Sequence, residues 1–535
     1  MAIKYVFVTG GVVSSLGKGI TTASLGRLLK ARGYTISMQK MDPYYNVDPG
    51  LLSPLQHGEA FITEDGVAAD LDLGHYERYA DIQVKGEASV TTGKIHKRVM
   101  ERELNGEYKG GTVQVVPHVT NEIKLAIRTA AENSGADIAL VEIGGTVGDM
   151  ESAPFLEAIR QMRWDLPDHG CCFIHVTLLP YISVAGELKT KPTQHSVKNL
   201  RSIGIQPDVI VCRTEQAISR EGKEKIALFC NVKATHVVQN MDVPFLYEVP
   251  LRMEEEGLAD IVCQELGLPK TPADLRDWQE MLNTRKNPEH AIKVALVGKY
   301  VALRDAYLSV SEALTHAGLA NRASVEIRWI SAEDITDDNA KQVLSGCQAV
   351  IIPGGYGDRG AEGIVSAARY ARENNVPFLG IGFGMQLAVV EAARNLLGLK
   401  DAHSTEVDPE TPHPVVRIPE DRICQNGSRS PSRMGGYDVE LTESHLRDIY
   451  GRSCIHERHG NRFEVNEDYA AQLSQKGFEC VGVSPQGGYL EAFEMKDHPF
   501  YAAVAYHPEF LSRPNRAHPL FTAFVKAALK AQEEA

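Results

Sequence analysis

An α/β fold in two domains is what this chain predicts, on three observations. Short apolar runs alternate with helical patterns through the first half, a polar stretch interrupts that rhythm after residue 266, and a fresh strand pattern opens at Ile292. Alternation of this kind builds a parallel sheet with helices on both faces. The length of 535 residues agrees, because it exceeds what one compact core usually serves.

In the first domain, residues 1–266, strands are expected at residues 5–8, 138–141, 173–176 and 209–211, with a helix over 24–31. Residues 267–290 contain several breakers and little apolar character, so they read as a linker with one short helix near Trp278. The second domain, 291–535, offers strands at 292–298, 349–353 and 501–505. Residues 408–436, rich in Pro, Arg, Ser and Gly, read as a mobile surface loop, and no internal repeat is found.

Charge and cysteine content narrow the function. Against 56 Lys and Arg stand 70 Asp and Glu, which argues against non-specific nucleic-acid binding and leaves small anionic substrates allowed. Nine cysteines form no C-x-x-C pair, and neither a signal peptide nor an apolar run of about 20 residues is read, so a cytoplasmic protein without membrane attachment or structural zinc is expected.

Two stretches carry chemistry. The first strand runs into Thr9-Gly10-Gly11-Val12-Val13-Ser14-Ser15-Leu16-Gly17-Lys18-Gly19-Ile20-Thr21, where backbone N–H groups, a helix N-terminus and the Lys18 charge could cradle a triphosphate. The spacing from Gly11 to Gly17 is one residue longer than in a standard phosphate loop, and Gly19 stands where Ser or Thr usually binds magnesium; an ordinary Gly-rich turn is the bland alternative. Carboxylates at Asp70, Asp72 and Glu142 could supply metal ligands, since the ion must bridge phosphate oxygens to the protein. Basic residues from Lys189 to His195, with Lys225, form either an anion grip or a solvated surface run.

The second stretch, Phe378-Leu379-Gly380-Ile381-Gly382-Phe383-Gly384-Met385-Gln386, has the form of a nucleophile elbow whose apex is glycine. The His507-Pro508-Glu509 pair that such an elbow would use stands downstream. The elbow therefore lacks an attacking atom.

Residues 8–19, 70–78, 141–152 and 186–197 resemble the corresponding strings of the CTP synthase family, and the resemblance extends over nearly the whole chain. It implies a P-loop-like parallel-sheet synthetase domain followed by a flavodoxin-like class I glutamine amidotransferase domain. The implied reaction is ATP-dependent amination of UTP to CTP through a 4-phosphorylated uracil. The resemblance assigns Ser15, Leu16, Gly17, Lys18, Gly19 and Ile20 to ATP, Met241, Asp242 and Val243 to its adenine, and Lys18 and Lys40 to the transferring phosphate. Asp72 and Glu142 would hold Mg²⁺. Ser14, Lys189, Thr190, Lys191, Pro192, Thr193, Gln194 and Lys225 would grip UTP, while Asp149, Met150 and Glu151 would sort the CTP that feeds back.

In the second domain the resemblance assigns His507 and Glu509 to proton handling, Gly354 to Gly357 to an oxyanion hole, and Gly355, Phe383, Gly384, Met385, Gln386, Glu406 and Arg462 to remnants of a glutamine site. Gly382 occupies the position of the family's cysteine. Ala68-Ala69 departs from the family's pattern near the first site, and further departures at residues 101–110, 435–441 and Gly460-Asn461, on both sides of the expected domain contact, fit relaxed selection on coupling better than one isolated change. Free ammonia is then the expected nitrogen source, GTP a doubtful effector and a homotetramer the implied assembly. A ligase using another amine and a non-catalytic scaffold are the competing readings.

Overall fold

The computed structural model describes residues 2–14, 16–184, 186–423 and 431–534. Its contacts divide the chain into two compact units, the first made of Met1–Pro49 and Asp72–Asp277, the second of Gly50–Leu71 and Trp278–Ala535. A division at 267–290 alone would have left Gly50–Leu71 in the first unit. Instead its strands Phe61–Ile62 and Ala68–Ala69 form a buried hairpin in the second, with Phe61 edge-on to Phe510 at 5.0 Å between ring centroids. Burial of Phe61 and Ala69 supplies the driving force.

The first unit is built on seven parallel strands, in the spatial order Val237–Met241, Val209–Thr214, Cys171–Leu179, Lys4–Gly10, Ile138–Ile143, Ile36–Asp42 and Ser89–Thr91. All four expected strands are present. They are nearly continuous apolar runs because a parallel sheet is covered on both faces, which removes the polar alternation of a half-exposed strand. The chain's first strand lies fourth in that order, between Cys171–Leu179 and Ile138–Ile143, so ligands are expected at the carboxyl ends there. The helix over 24–31 starts earlier, at Lys18, and ends at Ala31.

In the second unit nine strands follow the order Ala323–Ser331, His290–Gly298, Ala349–Ile352, Phe378–Ile381, Tyr501–Val504, Leu490–Met495, Phe478–Val483, Arg433–Leu441 and Cys454–Asn461. The first five are parallel and flavodoxin-like in order, and the remainder extend the sheet antiparallel. Ala295 and Val297 enter one apolar cluster while Val294 and Leu296 enter another, so both faces of the sheet are packed.

The surface loop expected over 408–436 is a correction. His413–Arg417 and Arg433–Leu441 are strands there, with Val415 and Val416 fully buried and Arg433 held between the buried carboxylates of Glu464 and Glu491. Pairing lets a charged residue enter the sheet interior, which the residue types alone disguise. Residues 424–430 of that stretch lie outside those described. Trp278 anchors the helix Arg276–Lys286 with no solvent exposure.

Candidate active site

The first unit gathers its charged residues at the carboxyl ends of the central strands. Lys4–Gly10 runs into the Gly-rich loop, Gly17 adopts φ 89°, and the chain enters the helix at Lys18. The Lys18 Nζ donates to the Gly145 carbonyl at 2.8 Å. Lys40, near the end of the Ile36–Asp42 strand, pairs with Asp72 and lies 3.4 Å from Glu142 and 4.0 Å from Asp42. The Tyr76 hydroxyl donates to the other Glu142 oxygen at 2.5 Å. Lys18, Lys40, Asp72 and Glu142 are therefore one electrostatic cluster.

A Cβ at Gly19 would stand 2.1 Å from an Asp72 oxygen. Glycine replaces the usual Ser or Thr here because the Asp72 carboxylate occupies the space of that side chain. Asp42 and Tyr76 were missed by sequence reasoning. Their signals were the two-residue spacing from Lys40 along one strand face and the four-residue spacing from Asp72 along a helix. Ser15 lies outside the described residues, Leu16 is buried, Ile20 is half-buried and Ser14 is exposed. Asp70 belongs to the segment that packs with the second unit.

Burial pushes the Lys18 ammonium down from its ordinary range, opposed by Glu142. Burial likewise pushes the Glu142 carboxyl up, against the pull of Lys40. Two anionic oxygen donors beside two lysines suit magnesium that arrives with a triphosphate, because that ion commonly takes only one or two protein carboxylates and completes its shell with phosphate and water. A cation there would also relieve the cost of keeping Glu142 ionised in a buried position.

The remaining candidates of this unit lie on neighbouring elements. Lys191 opens the helix Lys191–Ser202, with Pro192 in its first turn, Thr193 and Gln194 buried, and the Gln194 amide donating to the Thr190 hydroxyl at 3.0 Å. Lys189 pairs with Glu187, whose carboxyl is held below its ordinary range chiefly by that contact and also by Lys225, so both lysines face one acidic group. Asp149 accepts from the Thr146 N–H at 3.2 Å, and Asp149, Met150 and Glu151 are exposed. Met241 ends its strand and Asp242 pairs with Arg213, with Val243 half-buried beyond.

The second unit holds the elbow. Gly382 joins the strand Phe378–Ile381 to the helix Phe383–Asn395 at φ 55°, ψ −108°. A Cβ at Gly382 would stand 3.2 Å from His507 Nε2. The opposite nitrogen of that ring is 2.7 Å from Glu509. The turn thus retains the backbone of a nucleophile elbow and aims position 382 at the histidine. Gly460 adjoins the same ring, since a Cβ there would lie 3.6 Å from His507 Nε2.

Around the elbow, Phe383, Gly384, Met385 and Gln386 are buried. Glu406 accepts from the Gly357 N–H at 2.9 Å, the Gln386 amide donates to the Phe463 carbonyl at 3.4 Å, and the Arg462 guanidinium lies over the Phe463 ring. Lys299, another residue missed from sequence, lies over the Phe383 ring at 4.1 Å beside Gly355 and donates to the Tyr356 carbonyl at 2.8 Å. Burial pushes its ammonium down to about 8.

The family model described as CTP synthase N-terminus matches residues 4–268, and the one described as glutamine amidotransferase class-I matches residues 302–527. The chain is 55% identical over 527 residues to a CTP synthase of Clostridium perfringens, covering 98% of each chain. The chain belongs to the CTP synthase family. Similar agreement links it to CTP synthases of Pelotomaculum thermopropionicum, 54% identical over 531 residues and covering 99% of both chains, and Clostridium acetobutylicum, 51% identical over 535 residues and covering 100% of both. CTP synthase membership makes it an ATP-dependent carbon–nitrogen ligase, with a synthetase portion followed by a class I amidotransferase portion. No helix among the described residues is long and apolar enough to cross a membrane.

Proposed function

We propose that this CTP synthase aminates UTP with free ammonia and does not hydrolyse glutamine. The observation that carries the reading is glycine at position 382, facing His507 across the space a nucleophile would occupy. His507 and Glu509 can move a proton, but neither replaces a cysteine thiolate that forms and breaks the acyl bond. Loss of such a nucleophile typically costs on the order of 10⁶ in rate.

In the first unit the γ-phosphoryl group of ATP passes to the uracil O4, ammonia attacks C4 with its lone pair, and phosphate leaves with the former carbonyl oxygen. Lys18 and Lys40 steady the transferring phosphoryl group, and the residues from Thr190 to Gln194 with Lys189 and Lys225 hold UTP. Asp72 and Glu142 would hold magnesium, which when bound supplies neutralisation of phosphate charge. Positioning and charge carry the chemistry, since little covalent work falls to the protein. A cytoplasmic homotetramer with CTP as feedback inhibitor completes the reading, and GTP loses its use as an activator of glutamine hydrolysis.

Product analysis with UTP, ATP and magnesium, supplied with either ammonium or glutamine, tests it. CTP should form with ammonium at a rate that climbs with pH, because only NH₃ carries the attacking lone pair. Glutamine should release no glutamate above background. No CTP at alkaline pH with high ammonium, or a glutaminase rate that survives further purification, would overturn the proposal.

A further inference from the structure

A buried histidine with no part in the chemistry above links the two nucleotide-binding elements of the first unit. His175 lies within the strand Cys171–Leu179 without solvent exposure. Its Nδ1 is 2.9 Å from Thr9 Oγ1, at the end of the strand that feeds the Gly-rich loop. Its Nε2 is 2.8 Å from Ser196 Oγ, on the helix Lys191–Ser202.

The proton arrangement follows from the third bond in the chain. Thr9 donates its hydroxyl proton to the Ile174 carbonyl at 3.2 Å, so it accepts from His175 Nδ1–H. Nε2 is then the acceptor and Ser196 the donor. Burial, aided by the Lys18 charge, pushes the imidazole down to about 3, so this arrangement persists across any working pH.

Four further contacts make the link stiff. A Cβ at Gly11 would stand 1.8 Å from Ser196 Oγ, so the loop backbone rests directly against that hydroxyl, and the Gly11 N–H donates to the Val176 carbonyl at 3.1 Å. On the helix, Thr193 Oγ1 donates to the Leu178 carbonyl at 3.2 Å and lies 3.1 Å from the Thr177 hydroxyl. One strand therefore grips the phosphate loop on one side and the first turns of the helix on the other.

We propose that His175 is a positioning residue whose ring, held between Thr9 and Ser196, sets the distance between the ATP loop and the helix that carries UTP. The inference rests on the nucleotide assignments proposed above. Phosphoryl transfer needs its donor and acceptor in register, and a misplacement of about 1 Å can cost on the order of 10² in rate. A histidine suits the task because it spans two hydroxyls with one donor and one acceptor in a rigid plane, and its neutrality spares the loop a second buried charge beside Lys18.

Ammonium-dependent CTP formation by Ser196→Ala, His175→Asn and His175→Gln in the full chain tests the proposal, at temperatures well below each variant's unfolding. Ser196→Ala removes one hydroxyl from the link and is the variant least able to disturb folding. The active fraction of each is counted by saturable binding of an ATP analogue. Ser196→Ala and His175→Asn should lose about 10²-fold in kcat per binding-competent site, with each nucleotide's KM changed by less than about threefold; His175→Gln, whose amide can still reach Ser196, should lose less.

A wild-type kcat per competent site in Ser196→Ala, or a loss that only tracks the competent fraction, overturns the proposal. Lys18→Ala run alongside separates the two levels of argument. If it abolishes amination while Ser196→Ala is unaffected, only the His175 inference falls; if it leaves amination intact, the nucleotide assignment falls and takes the inference with it.

Discussion

Placing a side chain at Gly382 has two consequences that can be measured separately. The residue sits at φ 55°, ψ −108°, a sparsely populated backbone region that an L side chain enters at a cost of about 1–3 kcal/mol. The added Cβ would also stand 3.2 Å from His507 Nε2, a contact that requires the ring to give by a few tenths of an ångström. That ring cannot give freely, since Glu509 holds its far nitrogen at 2.7 Å and Phe510 stacks on it at 5.5 Å between centroids. Gly382→Ala should therefore lower the melting temperature by roughly 2–12 °C, at roughly 2–4 °C per kcal/mol for a unit of this size. Gly382→Cys carries the same strain but places a thiol beside the His507–Glu509 pair, and should regain slow glutamate release. Glutamate and CTP measured together should not rise one for one, on the expectation from the family resemblance that Gly460, which adjoins the His507 ring, and Asn461 also depart from the family's pattern. An unchanged melting temperature in Gly382→Ala would refute the strain argument, and one-to-one glutamate and CTP in Gly382→Cys would refute the view that more than a nucleophile has changed.

Four other substitutions probe the named groups. Lys18→Ala and Asp72→Asn should each abolish ammonium-dependent CTP formation with the melting transition retained, the first by removing phosphate neutralisation and the second a metal ligand; wild-type turnover in either would make the cluster structural. Gly19→Ser should lower that activity at least tenfold, since its Cβ would fall 2.1 Å from Asp72 and displace the carboxylate, and steady-state assays at several magnesium concentrations would detect full activity if the reasoning is wrong. Lys299 has a folded pKa of about 8, below the unfolded lysine value near 10.4, so the unfolded chain binds more protons between those limits and stability from this group rises with pH through that window; Lys299→Met should remove the rise in denaturation midpoint relative to wild type, and an unaltered pH profile would contradict it.

The parallel strands were legible because burial on both faces leaves nothing but apolar residues in them, as in Val6, Phe7 and Val8. The turn from the first strand into the helix at Lys18 was legible for a different reason: its glycines mark a tight turn, and Gly17 takes the positive φ that glycine allows. Harder to read was any element whose interior position depends on a partner far along the chain. Arg433 enters a strand only because Glu464 and Glu491 meet it, and residues 61–69 form a buried hairpin only against residues more than three hundred positions later. The Lys40 cluster was half visible, since Lys40 and Asp72 could be named but the convergence of Asp42 and Tyr76 on them required the fold.

Packing holds His507 and Glu509 in place apart from any chemistry they could perform, and this bears on how glycine at position 382 should be judged. The His507 N–H donates to the Arg458 carbonyl at 2.7 Å, its ring stacks on Phe510, and the glycines at 354, 382 and 460 close around it. Arg458, fully buried, in turn donates to the Ile62 carbonyl at 2.9 Å. Replacing His507 would empty a packed site and leave the Glu509 carboxylate, itself buried, without its nearest partner, a type of loss that costs stability whether or not glutamine is ever hydrolysed. Position 382 carries no such obligation, because at φ 55° glycine is the unstrained residue. Stability alone thus accounts for a His507–Glu509 pair beside glycine at position 382, so the presence of the pair is no argument for glutamine hydrolysis.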